Sequence, residues 1–201
     1  MKNNGIRKLT PLIETKYLSL YDAEYENRKG TERHWTIASR KDYATLKAQY
    51  LGEKEEAVDA VIVAALHKAT KSLVLIKQFR IPLNDYVYEL PAGLVDKGEL
   101  VDIAAKRELK EETGLSLIEI NTEKSKNKVH VSAGMTDESV AFVYCTCEGT
   151  ISNSYMEDDE DIEALLISQE DAKNLLAADI KIDIKALMTL QCFSMIGEKM
   201  F

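Results

Sequence analysis

Residues 93–115 read GLVDKGELVDIAAKRELKEETGL. The spacing is Gly93, five residues, Glu99, seven residues, then Arg107, Glu108, Leu109, Lys110, Glu111, Glu112, Thr113, Gly114 and Leu115. Gly98 suits a turn. Residues 100–113 contain neither Pro nor Gly and are rich in Ala, Leu, Lys and Glu, and Gly114 stands where a helix C-terminus needs a residue tolerant of the left-handed region. The stretch therefore predicts loop, helix, loop. At about 100° per residue, Glu108 and Glu112 lie nearly above one another and Glu111 falls about 60° to the side, so three carboxylates share one face. Val101, Ala105 and Leu109 recur every fourth residue and form an adjoining apolar stripe that would hold the helix against a sheet. Carboxylates this close repel one another unless a cation sits between them, and hard oxygen donors with room for water suit Mg²⁺ or Mn²⁺. The plainer reading is a solvated acidic face with Arg107 and Glu111 paired one turn apart. The two glycines, Glu99 and Arg107 standing in register weigh against it.

Outward from that stretch, residues 57–67 and 73–79 predict strands by their β-branched and apolar content. Pro82, Asn84 and Asp85 break the chain before a short strand at 86–90, which delivers Pro91, Ala92 and Gly93. Further strands are expected at 116–123, 128–132, 139–147 and 162–167. Ser168 with Asp171 opens a helix to about 178, and a last helix at 183–196 stops at Gly197. Strands on both sides of one central helix, with helices at the end, predict an α/β fold with a mixed sheet. Upstream, residues 8–25 and 32–40 read as strands separated by a turn at 27–30. This N-terminal β appendage, residues 1–56, has too little apolar content for a core of its own. It is expected to pack on the domain at 57–201 or on a second subunit.

The net charge of −8 argues against a general nucleic-acid binder. No stretch approaches the length of a membrane span and the N-terminus has no signal-peptide core, so a cytoplasmic protein without membrane attachment is expected. Three cysteines fit that setting: Cys145 and Cys147 share one face of a strand and Cys192 falls in a helical pattern; no second Cys or His cluster completes a C-x-C metal or redox site, and the three read as buried or semi-buried free thiols. His34, His67 and His130 show no ligand spacing.

The 93–115 stretch resembles the Nudix box of the Nudix hydrolases at every fixed position. Beyond it the chain resembles the ADP-ribose pyrophosphatase branch through Thr31 to Trp35 with Arg40, Ile76 to Arg80, Tyr88 to Gly93, Ser132 to Glu138, and Glu160 to Glu163. The resemblance implies a Nudix fold, an α/β/α sandwich, and hydrolysis of a small nucleoside diphosphate sugar such as ADP-ribose to AMP and ribose 5-phosphate. It implies metal binding by Glu108, Glu112, Glu111 and the carbonyl of Ala92, with Arg107 supporting the catalytic carboxylates and Gly93 and Glu99 bracing the loop. It also implies a general base in the acidic loop, best matched by Glu160, with Glu157 and Asp158 as alternates. Trp35 would stack on the base across a homodimer interface, and Arg40, Arg80, Glu89 and Glu138 would contact substrate. One position departs: Ala133 stands where that branch usually has proline, which opens the choice to other nucleotide sugars such as GDP-mannose. A ligand-sensing Nudix module and a nucleoside triphosphate-cleansing hydrolase are the remaining alternatives. The box carboxylates are all kept, against the first; the appendage and Trp35 stand against the second.

Overall fold

The first of the two N-terminal runs is long enough to fold back on itself, and it does. The computed structural model describes residues 5–50, 57–156 and 161–201, and it divides into two units, residues 1–59 with 130–139 and residues 60–129 with 140–201. In the first unit, β1 (Ile6–Glu14), β2 (Ser19–Glu26) and β3 (Glu32–Ser39) form an antiparallel sheet in that order. The single strand expected over 8–25 is thus two, because the Thr15 hydroxyl accepts the Leu18 N–H and closes a turn between them. Pro11, which has no N–H to give, lies on the edge strand beside a break in register.

The unit also has a helix that the sequence reading lacks, α1 (Tyr43–Tyr50), opened by Asp42, whose carboxylate accepts the Thr45 N–H at 2.7 Å. With it comes a small core, contrary to the expectation from composition. Leu9, Tyr21, Ala23 and Leu46 are buried together, with Ile6, Ile37, Tyr43 and Tyr50 packed around them. Leu46, fully buried and supplied by α1, is what the strand-only reading missed.

The second unit is a mixed sheet with helices. Its centre is β4 (Ala60–His67), buried at every residue, as a strand covered on both faces must be. β4 pairs in parallel with β9 (Ser139–Glu148) and antiparallel with β5 (Ser72–Arg80), which pairs with β6 (Asp85–Glu89) and β10 (Ile162–Ile167). β8 (Ser116–His130) lies beyond β9, one long strand where two were expected. α3 (Gln169–Ala177) is capped by Ser168, and α4 (Ile184–Ile196) by Asp183. All three cysteines are free: Cys145 and Cys147 are buried on β9 as expected, whereas Cys192, expected to be at least partly buried, is exposed on α4.

What positions the motif is the approach to α2 (Val101–Thr113). The short strand β7 (Ala92–Leu94) pairs with β4 through Ile62 and Ala92, Val61 and Gly93, and Ala60 and Leu94. α2 packs on β4 and β7, and its Ala104, Ala105 and Leu109 are fully buried. Its end is set by Gly114 at φ +74°, whose N–H reaches the Lys110 carbonyl at 2.9 Å. A Cβ there would also come within 2.7 Å of the Ser152 backbone nitrogen. Gly114→Ala is therefore expected to cost at least about 1–2 kcal/mol in urea unfolding, from the left-handed backbone alone. Unchanged stability would show that the turn relaxes freely.

Candidate active site

Gly93 and Glu108 explain each other. A Cβ on Gly93 would lie 2.1 Å from the Glu108 carboxylate, so glycine at this point leaves that carboxylate its place against β7, and any other residue would push the side-chain end aside. The other end of the carboxylate row is held by the same strand: the Ala92 N–H donates to Glu112 Oε2 at 3.0 Å. Glu108 and Glu112 are buried, 9% and 3% exposed, although both are acidic and lie on a helix. Burying carboxylates is costly unless charge of the opposite sign is near.

For Glu108, Arg107 supplies that charge. Its Nη1 donates to Glu108 Oε1 at 2.6 Å and to Glu111 Oε2 at 3.0 Å. Its Nε and Nη2 fork onto Glu99 at 3.0 and 2.9 Å, and Nη2 also reaches the Leu94 carbonyl at 2.9 Å. One planar guanidinium thus ties together the loop, the end of β7 and two of the three box carboxylates. Its hydrogen bonds to Glu99 lead in raising its own pKa. In return Arg107, helped by the Asp96 N–H, holds the Glu99 carboxyl down at about 2.

Arg80 and Glu89 form a second fork, Nε to Oε1 at 2.6 Å and Nη2 to Oε2 at 2.8 Å. The Arg80 pKa is raised first by Glu89, and the charges of Glu112 and Asp183 add to it, which places this pair in electrostatic reach of the box. In the first unit Trp35 is half exposed, at 53%, and its indole N–H donates to the Gly134 carbonyl at 3.2 Å. It lines a groove of about 290 Å³ with Ile37, Tyr50, His130, Ala133 and Met135 among others. Arg40 is joined to Glu138, Nε to Oε1 at 2.8 Å.

Each expected site residue within the described chain therefore has a defined place, grouped as Glu99, Arg107, Glu108 and Glu111; Ala92 and Glu112; Arg80 and Glu89; Arg40 and Glu138; and Trp35. Glu157, Asp158 and Glu160 lie outside the described residues. Asp161, from the same acidic run, accepts the Tyr86 hydroxyl at 2.5 Å. Sequence reasoning missed Lys41, Asp59 and Asp137, which meet in the first unit and carried no signal beyond the neighbouring Arg40 and Glu138.

The donor set fits a hard divalent cation in kind, since Glu108, Glu111 and Glu112 offer only carboxylate oxygen on one helix face. Among the described residues no three His, Cys, Asp or Glu side chains stand as a ready-made cation cluster. Arg107 holds Glu108 and Glu111 instead. The Arg107 pairing has a measurable consequence of its own. A carboxylate whose pKa falls from 4.5 to about 2 on folding gives stability that is complete above about pH 4.5 and is lost as pH falls through about 2. Glu99→Gln is expected to flatten the acid limb of thermal stability across that window; an unaltered limb would contradict the pairing.

Comparison with known proteins bears on this geometry. The model of the NUDIX domain family matches residues 56–189. The chain is 34% identical over 137 residues to an ADP-ribose pyrophosphatase of Bacillus subtilis, covering 66% of this chain and 70% of that protein. It is 35% identical over 112 residues to an ADP-ribose pyrophosphatase of Saccharomyces cerevisiae and 38% identical over 122 residues to putative nudix hydrolase 2 of Caenorhabditis elegans. These matches cover 55% and 57% of this chain, which spans about half the length of either relative, 45% and 54%. A crystal structure of an ADP compounds hydrolase superposes with a TM-score of 0.66 over 96% of this chain and 95% of that one, at 16% identity, a likeness of fold. With the glycine-backed carboxylate helix in place and the family model covering most of the chain, this protein belongs to the NUDIX domain family.

Proposed function

We propose that the chain is a metal-dependent Nudix pyrophosphohydrolase of nucleoside diphosphate sugars, with ADP-ribose as the leading substrate. The observation that carries this reading is the buried pair Glu108 and Glu112 on one face of α2. Acidic side chains buried against a strand, one of them in the space that Gly93 leaves, serve a cation better than they serve stability. Similarity to the ADP-ribose pyrophosphatases supports the substrate class.

In this reading Glu108, Glu112 and Glu111, with the Ala92 carbonyl, hold Mg²⁺, or Mn²⁺ in its place. A bound divalent ion would neutralise pyrophosphate charge and lower the pKa of a water. Arg107 keeps Glu108 and Glu111 aimed while bound to Glu99. Glu160 accepts the proton of the attacking water. The water oxygen bonds to phosphorus as the bridging P–O bond breaks, giving AMP and ribose 5-phosphate from ADP-ribose. Arg80 and Arg40, held by Glu89 and Glu138, present guanidinium edges to phosphate, and Trp35 offers its indole face to the base. A homodimer in the cytoplasm is the expected form. Among the described residues no helix is long and apolar enough to cross a membrane.

A second reading, another nucleotide sugar such as GDP-mannose, is favoured by Ala133, which lines the Trp35 groove without the backbone restraint of proline. Phosphate release coupled through a phosphatase, over ADP-ribose, ADP-glucose, GDP-mannose, NADH and dGTP with Mg²⁺, separates the two. ADP-ribose is expected to lead. Glu112→Gln is expected to lower turnover by more than about 10–100-fold, the loss that even an outer metal partner costs, while thermal unfolding stays cooperative. Wild-type turnover by that variant would sink the ligand assignment, and binding without turnover across the panel would favour a sensor. Sizing should give a dimer; a monomer would remove any cross-subunit role for Trp35.

A further inference from the structure

The segment 132–139 is tied to the end of β3 by a buried ion cluster. Lys41 Nζ lies 2.7 Å from Asp137 Oδ2 and 2.7 Å from Asp59 Oδ1, and the three side chains are only 11%, 7% and 12% exposed. Burial pulls the Lys41 ammonium toward deprotonation, but the hydrogen bonds to Asp137 and Asp59 outweigh it and hold its pKa above the ordinary lysine value. The two carboxylates are unequally provided for. Asp59 Oδ2 also accepts the Ser139 N–H at 2.8 Å and the Ser139 hydroxyl at 3.0 Å. Asp137 Oδ1 is buried with no hydrogen-bond partner, so the hold on Asp137 is Lys41.

The same segment forms the wall beside Trp35. Gly134 provides the carbonyl that accepts the indole N–H, the Met135 carbonyl accepts the Ala38 N–H at 3.0 Å, and Ala38 bridges Thr136. The neighbouring Arg40–Glu138 pair is 48% and 25% exposed, where solvent screens it.

We propose that Lys41 is a positioning residue for the Trp35 groove: by neutralising Asp137 inside the unit it keeps the 132–137 turn, with the Gly134 carbonyl, where it orients the indole for a planar base. The base as ligand rests on the nucleotide reading above; the positioning does not. Without Lys41 the Asp137 carboxylate would be a buried charge without a counter-charge, and the relief open to it is to carry the turn out to water. The indole then loses its acceptor.

Trp35 is the only tryptophan, so tryptophan emission, excited at the red edge where the tyrosines do not absorb, reports this groove alone. Lys41→Met is expected to shift that emission to the red. It should also raise KM for ADP-ribose about tenfold, with kcat within about twofold, the pattern of lost binding that is uniform between ground and transition states. Adding Asp137→Asn removes the stranded charge and is expected to restore both the emission and most of KM, a coupling that two independent structural losses would not produce. A folded Lys41→Met protein with wild-type emission and KM, or a double variant no better than the single, would overturn the proposal. If Lys41→Met does not fold, the double variant decides: folding with wild-type emission is expected, and failure to fold or a shifted emission overturns it. The emission arm needs no substrate, so a protein that turns over no nucleotide sugar but shows these shifts would count against the function and not against Lys41.

Discussion

The contact on which the functional helix depends is that of the Arg107 guanidinium with Glu99, Glu108, Glu111 and the Leu94 carbonyl. Each of those groups alone would be poorly placed. Glu108 is buried, Glu111 is its neighbour in charge, and the loop before α2 has little apolar material to hold it down. A single cation with donors in a rigid fork satisfies them together and fixes their directions, which a lysine at the same position would not do. The arrangement stabilises a concentration of negative charge that still has room, chemically, for further positive charge. That is the physical difference between a helix with an acidic face and a candidate metal site.

Backbone placement supports this. β7 is three residues long, yet it pairs with the fully buried β4 at every residue, and the Val63 N–H binds the Pro91 carbonyl at 2.8 Å just before it. The strand that passes beneath Glu108 and donates to Glu112 is therefore fixed to the most inaccessible part of the sheet. Gly93 leaves its space to the Glu108 carboxylate, and Gly114 meets both a left-handed backbone and the Ser152 backbone close beside it, different demands at the two ends of one motif.

Much of this was legible in the chain. The helix within 100–113, its glycine stop, the shared face of Glu108, Glu111 and Glu112, and strands read at 57–67, 73–79 and 162–167, observed at 60–67, 72–80 and 162–167, follow from local periodicity and punctuation. What was not legible is non-local or weakly patterned. α1 has almost no one-sided apolar pattern and shows itself only through the Asp42 cap. The break between β1 and β2 depends on one threonine hydroxyl rather than on Gly or Pro. Residues 130–139 fall with the N-terminal unit because Lys41 and Ala38 bind Asp137 and Met135, partners more than ninety residues apart that no spacing rule connects. The fork of Arg80 onto Glu89 across two strands is of the same kind.

Calorimetric titration of Mn²⁺ into the wild-type protein and a Glu108→Gln/Glu112→Gln variant tests most directly whether the buried carboxylates of α2 are a cation site. Saturable binding by the wild type, weakened at least about tenfold in the variant while the fold is retained, is the expected result. Equal binding by the two proteins would contradict it and would leave the carboxylate row a structural one, held by Arg107 and by the Ala92 N–H.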